Sequence, residues 1–412
     1  MKQIALIGFN IFGTGGTSQS NINLIEEFTE AEYAVSFYNF IPFAERDVRH
    51  LKKEIRSAMN VDFFQFNHLD RIGNPDYIFI TREDFFCLAP YLRHVSNAKI
   101  IGEIHAPLPM VNESVMKQYL PYMSFVRVAT KSIQAQIELH YDYHRVFAQT
   151  VSLKHVRVSK HEHETSLIER NGNVNFAVRA RFDDVKDITY AINLMDYLVN
   201  NLGHHNFRLY ITGSGAEGNS YHELIQKYSL NRNIIINGKT PSVHAYLSTS
   251  RMETFGYSII EEFSTGHPVI LYPGDDGVLK ENFGRFKDCV WIVKNVKDDA
   301  ETVLQFVKKQ HNESDYLFNL NLIRQLKNNY VEQFEANTSG DDLASREQSD
   351  NVSLRNTLRT VRKGMQLDKM YYLRHAYYAA KRIPLVGALL SQSGFRQLGI
   401  NIVSALRGKK RK

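Results

Sequence analysis

The chain has 412 residues, and its 43% hydrophobic and 12% aromatic content is that of a well-packed globular protein. These figures exclude a disordered chain, and the length predicts two domains and an appendage. The only cysteines, Cys87 and Cys289, lie far apart, which argues against a disulfide framework or a zinc site and fits a reducing compartment. The sequence begins without the pattern of a signal peptide, and no run reaches the roughly 18 apolar residues of a membrane span. We therefore expect a cytoplasmic protein.

The net charge of +6 is distributed unevenly along the chain. Residues 353–412 carry 14 Lys and Arg residues and a single acidic residue, Asp368, so the remainder of the chain is slightly acidic. Aromatic and aliphatic residues alternate with these cations, which is typical of a helix at an anionic membrane interface. The sequence therefore predicts a basic amphipathic helical tail that holds the protein at the inner face of the membrane. A docking or dimerisation helix, and with it a homo-oligomer, stays open as the alternative.

Strands and helices alternate through the first part of the chain, beginning with a buried strand that runs into a glycine-rich turn and a helix. Such alternation predicts a parallel sheet that is covered by helices on both faces. The predicted strands are 3–9, 33–38, 77–80, 99–103 and 125–129, and the predicted helices include 47–59 and 113–119. We assign residues 1–155 to an N-terminal Rossmann-like domain that binds the acceptor.

The alternation resumes after the polar stretch 158–173. The predicted strands are 173–179, 207–212, 234–237, 245–249 and 268–271, and the predicted helices are 189–200, 220–228 and 257–264. We assign 172–337 to a second Rossmann-like domain, 338–352 to a linker and 353–412 to the tail. Two doubly wound α/β domains are expected to face each other across a cleft, with ligands at the carboxyl ends of the strands.

The segment 250–270 carries the most informative pattern. Glu253 and Glu261 are separated by seven residues with a Phe-Gly pair between them, and a Gly-x-Pro sequence and a strand follow. Gly256 lets the backbone approach a ligand closely. The helix predicted to begin at Tyr257 offers free N–H groups and the positive end of its dipole to a diphosphate.

This segment resembles the Glu-x7-Glu signature of retaining glycosyltransferases that have the two-domain GT-B fold, of the family 4 type. The resemblance implies that Glu253 lies at the transferred hexose and that Glu261 bonds the ribose hydroxyls. The turn ARFDDVKD is similar to the family's Gly-Arg-Leu-x3-Lys-Gly turn. Its cations, Arg181 and Lys186, are expected to neutralise the leaving diphosphate, so that neither a metal nor another cofactor is needed.

Two glycine loops and one histidine complete the predicted site. Gly15 and Gly16 open the first helix and, by resemblance, contact the donor diphosphate or the acceptor, with a plain tight turn as the alternative. His105 is expected to contact the transferred sugar, with packing as the alternative. Gly213 and Gly215 are expected to approach the base or ribose. The predicted catalytic residues are Glu253, Arg181, Lys186 and His105, and the predicted donor-binding residues are Gly15, Gly16, Gly213, Gly215, Phe255, Gly256, Tyr257, Ser258 and Glu261.

The sequence also departs from the family pattern at three places. Ala180 and Asp187 replace the usual glycines of the Arg-Lys turn, and Glu262 stands where a small alanine is usual. The segment between Lys239 and the strand 245–249 is shorter than expected. Because that segment lies near the expected base pocket, the identity of the nucleotide stays open.

Together these patterns predict a hexosyltransferase that moves a hexose or N-acetylhexosamine, with retention, from a nucleotide-diphosphate sugar such as a UDP-sugar. The expected acceptor is a cell-surface polymer of the cell-wall or teichoic-acid type, a lipid-linked molecule or a protein, and no nucleic acid partner is expected. A non-catalytic GT-B subunit that recognises the acceptor and a nucleotide-sugar epimerase or hydrolase stay open. A nicotinamide-linked dehydrogenase is disfavoured, because the glycine spacing is not that of a dinucleotide fingerprint.

Overall fold

The computed structural model describes residues 1–13, 15–157, 172–309, 311–327, 329–342, 344 and 353–366. These residues belong to two compact units, one made of Met1–His155 with the described residues of 327–366 and the other of the described residues of 156–326. Each unit contains one parallel sheet with helices, as predicted. The predicted boundary stretch lies outside the described residues over 158–171, and the predicted linker over 343 and 345–352.

The first unit is a seven-stranded parallel sheet with helices. Its strands are β1 (Gln3–Gly8), β2 (Ala34–Asn39), β3 (Val61–Gln65), β4 (Tyr77–Ile80), β5 (Lys99–Glu103), β6 (Phe125–Val128) and β7 (Val146–Ala148). Its helices are α1 (Gly16–Glu30), α2 (Glu45–Glu54), α3 (Ala89–Val95), α4 (Glu113–Tyr119) and α5 (Lys131–Tyr141). The strand order is β3-β2-β1-β4-β5-β6-β7, so β1 and β4 are the central pair. Both strands are buried apolar runs, as parallel sheets with two covered faces require.

The second unit is built in the same way around six parallel strands. Its strands are β8 (Val174–Arg179), β9 (Phe207–Thr212), β10 (Ile234–Ile236), β11 (Ala245–Ser248), β12 (Val269–Leu271) and β13 (Cys289–Trp291). Its helices are α6 (Ile188–Asp196), α7 (Gly218–Lys227), α8 (Tyr257–Ser264), α9 (Val278–Phe283), α10 (Val296–Lys308) and α11 (Glu313–Lys327). The strand order is β10-β9-β8-β11-β12-β13. From β8 the chain adds β9 and β10 on one side and then β11, β12 and β13 on the other, so the order of the strands reverses between β8 and β11. Ligands of open α/β sheets bind outside the carboxyl ends of the strands at such a reversal.

Helix α12 (Tyr330–Asn337) packs on the first unit, although the sequence analysis placed residues up to 337 in the second domain. The ring of Phe334 is fully buried, and its centroid lies 5.2 Å from the ring centroids of both Phe28 and Tyr77. The apolar face of α12 thus belongs to the core that surrounds β1 and β4. Sequence order alone did not reveal this return of the chain.

Helix α13 (Leu354–Gln366) is the described part of the predicted basic tail, and residues 367–412 lie outside the described residues. Leu358 and Val361 are buried where α13 packs against two short 3-10 helices of the first unit. Three arginines of α13 are exposed: Arg355, Arg359 and Arg362. Within the described ranges, no helix combines the length and the apolar character needed to cross a membrane.

We expect Phe334→Ala to lower the free energy of unfolding of the first unit by about 3–5 kcal/mol, because it leaves a cavity among aromatic rings. Hydrogen exchange of β1 and β8 in urea follows the two units separately. The matched control is Phe318→Ala on α11, where the ring is 41% exposed and the change is expected to stay within about 0.5 kcal/mol. Equal losses of protection in β1 for both variants would contradict the packing of α12.

Candidate functional site

Two loops leave the second sheet at the carboxyl ends of the neighbouring strands β8 and β11. The first loop is 180–187 and the second is 249–256. The backbone N–H of Arg251 donates to the carbonyl of Val185 at 2.8 Å, and the Thr249 hydroxyl donates to the last carbonyl of the first loop, also at 2.8 Å. Each loop therefore fixes the position of the other.

Two of the predicted catalytic side chains meet between these loops. Nζ of Lys186 donates to Oε1 of Glu253, and the two side chains are only 15% and 16% exposed. The Ser250 hydroxyl donates to the same carboxylate oxygen at 3.1 Å, and the backbone N–H of Lys186 donates to Oδ1 of Asp183 at 3.2 Å. The loops thus hold one ammonium and one carboxylate side by side at the strand ends, where charges act in a partly dry environment.

Arg181 lies in the first loop but outside this ion pair. Its side chain is 78% exposed, and its Nη2 lies 3.3 Å from Oδ2 of Asp183. The next residue, Phe182, is buried in the core. The structure therefore brings Lys186 and Glu253 together. The guanidinium of Arg181, in the same loop as Lys186, extends into solvent.

Helix α8 begins four residues after Glu253, and its start has the features expected of an anion site. Gly256 precedes the helix with φ 96°, and no side chain in the described part of the chain caps the helix. A Cβ at this position would lie 2.9 Å from Cδ1 of Ile259 and 3.2 Å from the ring of Phe283. Phe255 is buried beneath the turn. The N-cap glycine thus supplies no side-chain acceptor to the first turn of α8, which favours binding of an anion by its N–H groups.

Tyr246 is a residue of this site that the sequence analysis did not single out. Its hydroxyl donates to the carbonyl of Arg179 at 3.2 Å and lies 2.9 Å from Oγ of Ser258 in the first turn of α8. Burial raises the pKa of Tyr246 to about 12, so the phenol stays protonated. The sequence did offer a signal for this residue, because Tyr246 stands between the core residues Ala245 and Leu247. The hydroxyl of a buried tyrosine needs a hydrogen-bond partner.

The neighbouring glutamates of α8 have different surroundings. Glu261 is exposed, as a contact of ribose hydroxyls would need to be. Glu262 is buried, and its carboxylate lies between the guanidinium of Arg179 and Nδ1 of His267, the latter at 2.6 Å. Burial, together with the charge of Arg179, lowers the pKa of His267 to about 4. The neutral ring therefore donates through Nδ1, because a carboxylate can only accept.

The loop after β9 contains the predicted nucleoside contacts Gly213 and Gly215. A Cβ on Gly213 would collide with the carbonyl of Ala180, and one on Gly215 would collide with the carbonyl of Phe182. Both glycines therefore let this loop pass close to the loop after β8. Their contact with a nucleoside stays a prediction.

In the first unit, His105 follows β5 and is held by buried charges. Its side chain is 17% exposed, and its Nε2 lies 2.9 Å from Oε2 of Glu103. Glu103 is ion-paired with the buried Arg127, and the backbone N–H of His105 donates to Glu83 at 3.1 Å. Burial lowers the pKa of His105 to about 4, so its ring is neutral at pH 7.

The glycine loop after β1 leads into α1. The helix begins at Gly16, preceded by Gly15, and no side chain caps it within the described ranges. A Cβ on Gly15 would meet no described atom within 4 Å. The roles of His105, Gly15 and Gly16 stay predictions.

We expect Gly256→Ala to destabilise the second unit by about 1–2 kcal/mol, because alanine is strained in the left-handed conformation of this residue. The added Cβ would also crowd the side chains of Ile259 and Phe283, which increases the loss of stability. Gly277→Ala is the matched control: Gly277 precedes α9 with φ 73°, and its Cβ would meet no described atom within 4 Å. Hydrogen exchange of β11 in urea measures both losses. A loss for Gly277→Ala as large as that for Gly256→Ala would show that the crowding around Gly256 contributes nothing.

Comparison with known proteins extends this description. Residues 160–319 match the family model of glycosyl transferases group 1, and a search of curated proteins gave no match. The crystal structure of TarM is similar, with 15% identity, a TM-score of 0.65, and coverage of 82% of this chain and 99% of that chain. An S. aureus TarM variant solved with fondaparinux, alpha-GlcNAc-glycerol and UDP has 14% identity, a TM-score of 0.61, and coverage of 88% and 99%. Anabaena HepE solved with UDP has 12% identity, a TM-score of 0.63, and coverage of 82% and 100%.

At these identities the solved structures define the fold, and the fold is GT-B, as the resemblance predicted. The family match covers both loops of the Lys186–Glu253 pair and the whole of α8. The family match supports a glycosyltransferase.

Proposed function

We propose that the protein is a retaining hexosyltransferase of the family 4 type, which transfers a hexose or N-acetylhexosamine from a UDP-sugar. The observation that carries the proposal is the ion pair of Lys186 and Glu253 beside the uncapped start of α8, at the reversal point of the second sheet. A cation and a helix start together suit a diphosphate, and a carboxylate suits the hydroxyls of a hexose.

In the proposed mechanism the donor diphosphate lies against the first turn of α8, at Tyr257 and Ser258. Lys186 then exchanges its partner Glu253 for a phosphate oxygen, which frees the carboxylate to accept hydrogen bonds from the hexose. As the bond from the anomeric carbon to the phosphate oxygen breaks, its electron pair stays on the diphosphate. Lys186, Arg181 and the helix dipole stabilise that charge without a metal. The acceptor hydroxyl attacks the anomeric carbon from the same face and gives its proton to the departing diphosphate oxygen, so the anomeric configuration is kept.

The remaining predicted residues take supporting roles in this proposal. Glu261 bonds the ribose hydroxyls, and the loop of Gly213 and Gly215 approaches the nucleoside. From the first unit, His105 is assigned to the transferred sugar, and the loop at Gly16 to the diphosphate or acceptor. UDP is the proposed nucleotide because two structures of similar fold, S. aureus TarM and Anabaena HepE, were solved with UDP.

For the acceptor we propose a cell-surface polymer of the teichoic-acid type, with a lipid-linked or protein acceptor as alternatives. The basic tail favours a polyanion, and the S. aureus TarM structure contains alpha-GlcNAc-glycerol. An epimerase or hydrolase on this scaffold would release its product from a nucleotide sugar without any acceptor. A non-catalytic subunit would release no nucleotide under either condition. Nucleotide release measured with and without acceptor therefore distinguishes the transferase from an epimerase or hydrolase and from a non-catalytic subunit.

We expect Lys186→Ala and Glu253→Ala each to lower the transfer rate by roughly a hundredfold or more, because each removes a preorganised charge from the reacting groups. The measurement is UDP release from UDP-glucose and UDP-N-acetylglucosamine in the presence of a polymer acceptor. The exposed residues Lys308 and Glu301 of α10 supply matched controls, Lys308→Ala and Glu301→Ala, which should keep the wild-type rate. Rates within twofold of wild type for both site variants would contradict the proposed donor site.

We further propose that α13 and the tail hold the enzyme at an anionic membrane surface. Leu358 and Val361 of α13 are buried by its packing on the first unit, whereas its arginines are exposed and available to a membrane. Arg355, Arg359 and Arg362 follow a spacing of four and then three residues, which places them on one face of the helix. Such a face is attracted by anionic lipids.

We expect the triple substitution Arg355→Gln, Arg359→Gln and Arg362→Gln to weaken binding to phosphatidylserine-containing vesicles by roughly a hundredfold, at about 1 kcal/mol per arginine. Vesicle sedimentation at physiological salt is the measurement. A matched control removes three cations of the second unit through Arg208→Gln, Lys227→Gln and Lys308→Gln. Equal binding of wild type to neutral phosphatidylcholine vesicles would refute the electrostatic attachment.

A further inference from the structure

Arg179 and Glu262 form an ion pair that the mechanism above does not use. Arg179 is the last residue of β8, Glu262 lies in α8, and Nη1 of the arginine contacts Oε1 of the glutamate. The carboxylate side chain is only 2% exposed, whereas the arginine side chain is 44% exposed. The carboxylate is therefore anchored in the interior, and the guanidinium that pairs with it stays partly exposed to solvent.

The carboxylate of Glu262 is fixed from a second side. Its Oε2 accepts from Nδ1 of His267 at 2.6 Å, and the Thr265 hydroxyl donates to the backbone carbonyl of Glu262 at 2.9 Å. One oxygen thus faces the arginine and the other faces the imidazole. Because both oxygens are engaged, the carboxylate has a single orientation, and the guanidinium bound to it is oriented too.

The backbone of Arg179 is tied to the start of α8 as well. The Tyr246 hydroxyl donates to the Arg179 carbonyl at 3.2 Å and lies 2.9 Å from Oγ of Ser258. Arg179 is therefore attached to α8 at two points, its carbonyl through Tyr246 and its guanidinium through Glu262. The start of α8 is where the donor diphosphate is proposed to lie, so this cation is held in a fixed relation to that position.

Stability alone does not account for the pair. Taking the Glu262 carboxylate out of water costs several kcal/mol, and well-packed apolar residues in place of a buried ion pair are often equally stable or more stable. Helix α8 already buries three apolar side chains, those of Ile259, Ile260 and Phe263. A guanidinium has five N–H donors, and contact with a single carboxylate oxygen leaves others for a ligand.

We propose that Arg179 is a third cation of the donor site, which binds a phosphate oxygen of the nucleoside diphosphate, and that Glu262 is the positioning residue that holds it there. This inference rests on the donor site proposed above and adds two residues to it. Arg179 lies two residues before Arg181 and on the strand that leads to Lys186, at the same edge of the sheet. Guanidinium groups match phosphate oxygens in charge and geometry.

The test is calorimetric titration of UDP into the full-length protein and its variants. Arg179→Met combined with Glu262→Met replaces the pair by apolar side chains of similar length, so the melting temperature should equal or exceed that of wild type. The dissociation constant for UDP should rise about tenfold, because one charge-assisted hydrogen bond to phosphate is lost. Glu262→Gln keeps the shape and removes the charge, and a rise of about threefold is expected because the guanidinium is held less firmly.

Controls separate this inference from its alternatives. Arg208→Met removes a guanidinium that donates to the carbonyls of His205 and Phe207 at the start of β9, and it should leave the affinity for UDP unchanged. Uridine lacks phosphates, so it should bind wild type and the double variant equally. A folded double variant with wild-type affinity for UDP would overturn the role of Arg179, and an equal loss for uridine would overturn the assignment to phosphate. If wild type itself binds no UDP, the proposed donor site fails, and this inference fails with it.

Discussion

The contact between Lys186 and Glu253 exists because two parallel strands that are neighbours in space, β8 and β11, release their chains at the same edge of the sheet. The strand order reverses between them, and the loops that follow are joined by hydrogen bonds at 2.8 Å. This constraint places a partly buried ammonium, a carboxylate and the start of α8 together. The proposed chemistry depends on that arrangement more than on any single side chain.

The start of α8 is held in place by polar contacts that cross from the helix to the sheet. The Tyr246 hydroxyl lies between the Arg179 carbonyl and the Ser258 hydroxyl. The side chain of Glu262, one turn further along α8, forms an ion pair with the Arg179 guanidinium. Charged groups that are oriented before the substrate arrives need no reorganisation when charge develops on a leaving group. In the proposed donor site, the buried polar groups around α8 support a charged ligand at its first turn.

The sequence predicted the interior of both sheets well, because interior strands such as β1, β4, β8 and β11 are apolar runs. The three missed strands, β3, β7 and β13, are all at sheet edges, where strands are short or partly polar. Lys186 and Glu253 were predicted from the spacing of residues within short continuous segments, Arg181 to Lys186 and Glu253 to Glu261. The contact of Arg179 with Glu262 was not found, because it joins residues 83 positions apart whose side chains meet only after folding. The same reason hid the return of Phe334 to the first core.

A crystal structure of the protein with UDP tests the central claim most directly, since the claim concerns where a diphosphate lies. The account predicts phosphate oxygens within hydrogen-bonding distance of Lys186 Nζ and of the N–H groups in the first turn of α8. It also predicts that Lys186 and Glu253 are no longer in contact. UDP bound elsewhere on the second unit, or bound with the Lys186–Glu253 contact intact, would contradict the account.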